Sequence, residues 1–75
     1  MNKTSTKDNI MNWKKAILEL KVHTATATDK GLYQPAKVSP SAFAAIKRGT
    51  ATFHNIEKLC YQWNVRPSQF FKWGE

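Results

Sequence analysis

The stretch Val38-Ser39-Pro40-Ser41-Ala42-Phe43-Ala44-Ala45-Ile46-Lys47-Arg48-Gly49 specifies a short helix with a signal at each end. Ser39 suits the N-cap, where its hydroxyl accepts an otherwise unpaired amide hydrogen of the first turn. Pro40 falls on the first helical position, which needs no N–H and favours a fixed φ. Gly49 suits the left-handed conformation that closes a helix, and Lys47 and Arg48 sit at the negative end of the dipole. The spacing predicts a helix of roughly nine residues.

Its two faces differ. At about 100° per residue, Phe43 and Ile46 share one side, and Ser41, Ala44, Ala45 and Arg48 gather on the other. The outer face is small in the middle and cationic at the end. Its backbone can approach a surface closely while Arg48 reaches past it.

Upstream, Leu32-Tyr33-Gln34-Pro35-Ala36-Lys37-Val38 supplies apolar positions at Leu32, Ala36 and Val38 that complement Phe43 and Ile46. With the turn Ser39-Pro40-Ser41, the segment Ile46-Lys47-Arg48-Gly49 and the downstream Ile56, Leu59, Cys60, Trp63 and Val65, the chain resembles the lambda-repressor-like (Xre/Cro-type) helix-turn-helix family. The likeness covers roughly residues 29 to 71. It implies an all-α fold, a compact bundle of about five short helices. It also implies sequence-specific binding of double-stranded DNA, with helix 40–48 in the major groove.

Three departures bear on geometry. The family usually carries a small residue at the place of Tyr33 and a turn glycine at the place of Lys37. A lysine held in the left-handed region costs on the order of 1 kcal/mol. A proline inside a helix costs about 3 kcal/mol, so the first helix of the motif should be short, start late, or kink at Pro35.

Carried over residue by residue, the resemblance implies that Pro40, Ser41, Ala44 and Ala45 face base edges. Ser41 can donate or accept, and an alanine methyl can pack on a thymine methyl. Arg48 reaches a guanine edge or a phosphate. Lys47, Thr50 and Thr52 are then expected on the sugar-phosphate backbone, which sets register while bases set specificity. Asp29 is unfavourable for phosphate at the start of the first motif helix, and Lys30 and Gln34 are the residues that can compensate.

Composition sets the outer bounds. The chain has 75 residues, enough for one domain, with 12 basic against five acidic side chains and a net charge of +7. Domains of this size bury only about 60% of their unfolded surface. Three tryptophans, two tyrosines and four phenylalanines offset that, since each large ring buries roughly 150–250 Å². The basic balance points first to nucleic acid, then to an anionic membrane surface or an acidic partner. One cysteine allows no internal disulfide, and no signal peptide or membrane span is evident. A soluble cytoplasmic protein, associated with the nucleoid through DNA, is the expectation.

Residues 1–7 are polar, with Lys3 and Lys7 in a solvated basic tail, and the domain is expected over 8–75. Asp8 can cap a helix to about Val22, with Ile10, Trp13, Ile17 and Leu20 as its buried stripe. His23 to Thr28 is expected as a loop, with Thr28 or Asp29 capping the next segment. After Gly49, Thr52 can cap a helix over Phe53 to Trp63 that buries Ile56, Leu59, Cys60 and Trp63. Asn64 takes the left-handed closing position, where asparagine is second to glycine. Arg66 and Pro67 open a last helix carrying Phe70, Phe71 and Trp73.

Catalytic and metal-binding patterns are absent from the sequence. The acidic residues are scattered, His23 and His54 lack local partners, and the three glycines are isolated. Cys60 occupies a position suited to a packed thiol. No enzyme, cofactor or metal site is expected. A small phage or mobile-element repressor is the function the sequence favours. A protein-interaction module, such as an antitoxin or a regulator's partner using the same helix pair, competes with it. Phe71 and Trp73 either close the core or join two copies as a homodimer, whose half-sites would lie about 34 Å apart.

Overall fold

A computed structural model describes residues 11–75, which form five α-helices and no strand. They are α1 (Trp13–Thr24), α2 (Asp29–Tyr33), α3 (Pro40–Arg48), α4 (Phe53–Gln62) and α5 (Pro67–Trp73). The tail at 1–7, the Asp8 cap and Ile10 lie outside the described residues. Among the described residues, no helix is long and apolar enough to cross a membrane.

Local chemistry explains most boundaries. Asn12, Thr28, Ser39 and Thr52 each accept the third backbone N–H of their helix, from Lys15, Gly31, Ala42 and Asn55. Pro40 and Pro67 open α3 and α5. The far ends share one device. After α1, after the turn that extends α2, after α3 and after α4, one residue enters the left-handed region: Ala25 (φ 56°), Lys37 (61°), Gly49 (80°) and Asn64 (62°). In each case the next amide donates five residues back, as Thr50 N–H does to Ala45 O at 2.9 Å and Val38 N–H to Tyr33 O at 3.1 Å. This pattern satisfies carbonyls that a helix end would otherwise leave open.

The structure corrects three boundaries. The first described helix starts at Trp13 under the Asn12 cap and runs through His23 and Thr24, so the expected span of 8–22 and the loop at 23–28 both shift. Its extension follows from Thr24, whose hydroxyl donates to Leu20 O at 2.9 Å. The third correction is at α4, which ends at Gln62, with Trp63 as its C-cap. The threonines of the short link have work of their own: Thr24 and Thr26 share a hydroxyl contact at 2.9 Å, and the Thr26 methyl lies against Gly31.

Helix α2 is five residues long, and Pro35 falls in the turn that follows. Gln34 remains in the right-handed helical region (φ −64°, ψ −49°), the conformation that a following proline disfavours. That turn is therefore tightly constrained: Gln34 before a proline, then Lys37 left-handed.

The core is drawn from every helix. Leu20, Leu32, Ile46, Leu59, Cys60 and Phe70 are fully buried, with Phe43, Ile17, Ile56, Val38, Val65, Ala36 and Ala16 closing around them. Trp13 and Trp63, expected in the buried stripes, are half-buried and pack against the core. Both rings are tied into the bundle. The Trp63 indole N–H donates to Leu32 O at 3.1 Å, tying α4 to α2. The Trp13 indole lies over the end of α3, where a side chain on Gly49 would overlap it, so glycine there serves both the turn and this approach. The C-terminus closes the bundle through Asn12 N–H, which donates to Gly74 O at 2.8 Å.

Candidate nucleic-acid interface

Helix α3 packs against α1, α2 and α4 and still keeps a free side. Phe43 and Ile46 point inward, with the Tyr33 ring 5.2 Å from that of Phe43 between centroids. Pro40, Ser41 and Arg48 are exposed, and Ala44 and Ala45 are half-exposed. The face expected to meet bases is thus exposed at its two ends and half-buried in its middle. Ser41 Oγ lies 3.2 Å from Ser39 Oγ, and Ser39 keeps its cap on Ala42 N–H at 3.1 Å.

The backbone-contact candidates divide. Lys30 and Gln34 are exposed and line one depression with Tyr33, Lys37, Ser39 and Pro40. Thr50 and Thr52 are exposed at the far end of α3, Thr50 donating to Ala45 O at 3.4 Å and Thr52 capping α4. Lys47 is placed elsewhere. Its ammonium is 3.0 Å from Asp29 Oδ2, in a second depression shared with Lys14 and Lys21. The other carboxylate oxygen of Asp29 holds Lys21 at 2.7 Å.

Asp29 thereby clips α1, α2 and α3 together, its single negative charge shared between two lysines. Its hydrogen bond to Lys21, opposed by partial desolvation and joined by the bond to Lys47, holds its carboxyl below the ordinary aspartate range. A depressed folded pKa stabilises the fold above the unfolded value, about 4, and that contribution is lost as pH falls through the folded one. The melting-temperature gap between the parent and Asp29→Asn should therefore be constant above about pH 5 and close progressively below pH 4. A gap that persists undiminished at pH 2 would show that the clip does not act through charge.

Sequence reasoning missed Lys37 and Tyr33 as members of the first depression. The available signal was a lysine at a turn position that favours glycine. It also missed the partner of Lys47, because an ion pair to Asp29 spans 18 residues and leaves no local pattern.

Burial pushes the Cys60 thiol up to about 12, which keeps it protonated as a packing group. Among the described residues, no group of three or more His, Cys, Asp and Glu side chains is placed to hold a metal ion. Comparison with family models, with curated proteins and with solved structures finds no match for this chain.

Proposed function

We propose that this chain is a sequence-specific double-stranded DNA-binding transcriptional regulator of the small repressor kind, acting at the nucleoid with α3 in the major groove. One observation carries the proposal. The outer side of α3 is exposed at Pro40, Ser41 and Arg48, small and half-buried in its middle, and flanked at its start by a depression holding Lys30 and Lys37. Among the described residues, neither lysine has a carboxylate at ion-pair distance, whereas Lys21 and Lys47 do. Small side chains let the helix sink between the strands, and unpaired cations beside its N-terminus suit the phosphates that flank a groove.

Few long polar side chains face the groove, so one domain binds weakly and a two-fold pair supplies specificity. Phe71 and Trp73 are the proposed contact. In the monomer Phe71 meets Trp13 edge-on at 6.0 Å and stacks on Phe53 at 6.0 Å, while Trp73 lies 5.3 Å from His23. Phe53 is 52% exposed, which extends the apolar surface beside Phe71.

The test is selection of bound duplexes from a random pool, followed by titration of the selected duplex and a scrambled one at several salt concentrations. Each neutralised phosphate should contribute roughly −0.9 to the slope of log K against log salt, with two protein copies per selected duplex. A flat salt response, or equal affinity for both duplexes, overturns sequence-specific DNA binding. A protein-interaction role is the second reading. It is favoured by Leu18 and Val22, which are 60% and 72% exposed one turn apart on α1. In that case binding to the partner survives changes at Ser41 and Arg48.

A further inference from the structure

We propose that Lys37 is a DNA-phosphate anchor, held at a strained turn position where it lines the same depression as Lys30 beside the start of α3. The proposal rests on the DNA reading above and assigns Lys37 a role which the helix-turn-helix resemblance does not supply.

The first support is conformational. Lys37 has φ 61°, a region in which a Cβ crowds the backbone and glycine is at ease. The local bonds that fix this conformation are backbone only: Lys37 N–H to Gln34 O at 3.0 Å and Val38 N–H to Tyr33 O at 3.1 Å. Glycine would make both. The lysine side chain is therefore not required by the turn, and it is exposed. Among the described residues, it makes no ion pair or side-chain hydrogen bond that would account for it.

The second support is placement. Lys37 lines the same depression as Lys30, Gln34, Ser39 and Pro40, so it borders the N-terminal end of α3 from the α2 side. Lys21 and Lys47 differ from Lys30 and Lys37 in geometry, because both are drawn to the one carboxylate of Asp29. Among the described residues, Lys30 and Lys37 place two charges without a carboxylate partner at the N-terminal side of α3, where one of the two strand backbones would pass. Local sequence choices that oppose the fold without an internal gain are characteristic of functional positions.

A phosphate contact is sequence-independent, so its loss weakens selected and scrambled duplexes alike and makes the salt slope shallower by about one. The experiment compares the parent, Lys37→Gly, Lys37→Asn and Lys37→Arg by thermal melting and by titration with both duplexes across salt concentrations. Lys37→Gly should melt a few degrees higher, about 2–6 °C for a domain of this size. It should also bind both duplexes about fivefold more weakly near 0.15 M salt, with a slope reduced by about 0.9. Lys37→Asn, which accepts the left-handed region without charge, should show the same loss of slope, and Lys37→Arg should retain the parental slope. If the parent binds with a salt-dependent slope and Lys37→Gly reproduces its slope and affinity, the anchor is refuted while the DNA reading stands. If the parent itself shows no salt-dependent binding, both fall together.

Discussion

Phe43→Ala is expected to unfold the domain, or to leave it so close to its midpoint that no cooperative melt survives at 37 °C. Phe43 is 2% exposed, on the helix that packs against α1, α2 and α4. Its ring also meets the Tyr33 ring, so truncation opens the seam between α2 and α3 as well as the centre. Such a truncation costs about 3–5 kcal/mol, the lost transfer energy plus the cavity left behind. A chain of this length has a total stability of the order of 4–8 kcal/mol. The cost therefore consumes most of what holds the fold together, and α2 is too short to survive without tertiary support. Circular dichroism during urea and thermal denaturation checks the outcome, with Leu18→Ala, on an exposed site, as a control expected within about 0.5 kcal/mol of the parent. If Phe43→Ala retains the parental midpoint, Phe43 is not the inward anchor of α3.

The helix ends show how far local chemistry reaches. Ser39-Pro40 and Gly49, Thr28, Thr52, Asn64 and Pro67 each mark a boundary where the structure has one, because a cap needs only the residue and its neighbours. The burial of Phe43 and Ile46 was legible from helical phase, and that of Leu32, Ala36 and Val38 from the helix-turn-helix resemblance. Ala25 was not. An alanine in the left-handed region carries no mark, and the end of α1 is set instead by the Thr24 back-bond and by Thr26 seated against Gly31. Asp8 and Asn12 are both good caps for the Trp13-Ile17-Leu20 stripe, so sequence alone could not place the start of α1 at Asn12.

The candidate interface divides along the same line. The exposure of Ser41 and Arg48 follows from helical phase and was legible. Lys47 has the charge and position of a phosphate ligand, but Asp29, brought close by the fold, takes its ammonium. Lys37 and Tyr33 join the depression only because the turn around Pro35 folds back beside α3. Which lysines remain unpaired is a property of long-range contacts, and periodicity cannot report it.

Ser41→Glu should abolish DNA binding while leaving the fold intact. Ser41 is exposed in the first turn of α3, and its hydroxyl touches only the Ser39 hydroxyl, at 3.2 Å. Ser39 keeps its cap on Ala42 N–H without help from Ser41. A carboxylate near a helix N-terminus is mildly favourable to the dipole, so the melting temperature should stay within about 2–4 °C of the parent or rise slightly. In the proposed complex the same carboxylate enters a groove walled by phosphates. Like-charge juxtaposition across an interface costs several kcal/mol, and each 1.4 kcal/mol is tenfold, so the selected duplex should bind at least about 100-fold more weakly. Ser41→Gln supplies the same length without the charge and should retain a measurable part of the affinity, which separates repulsion from bulk. A folded Ser41→Glu protein that binds the selected duplex as the parent does would place α3 outside the groove and overturn the assignment of its outer face to bases.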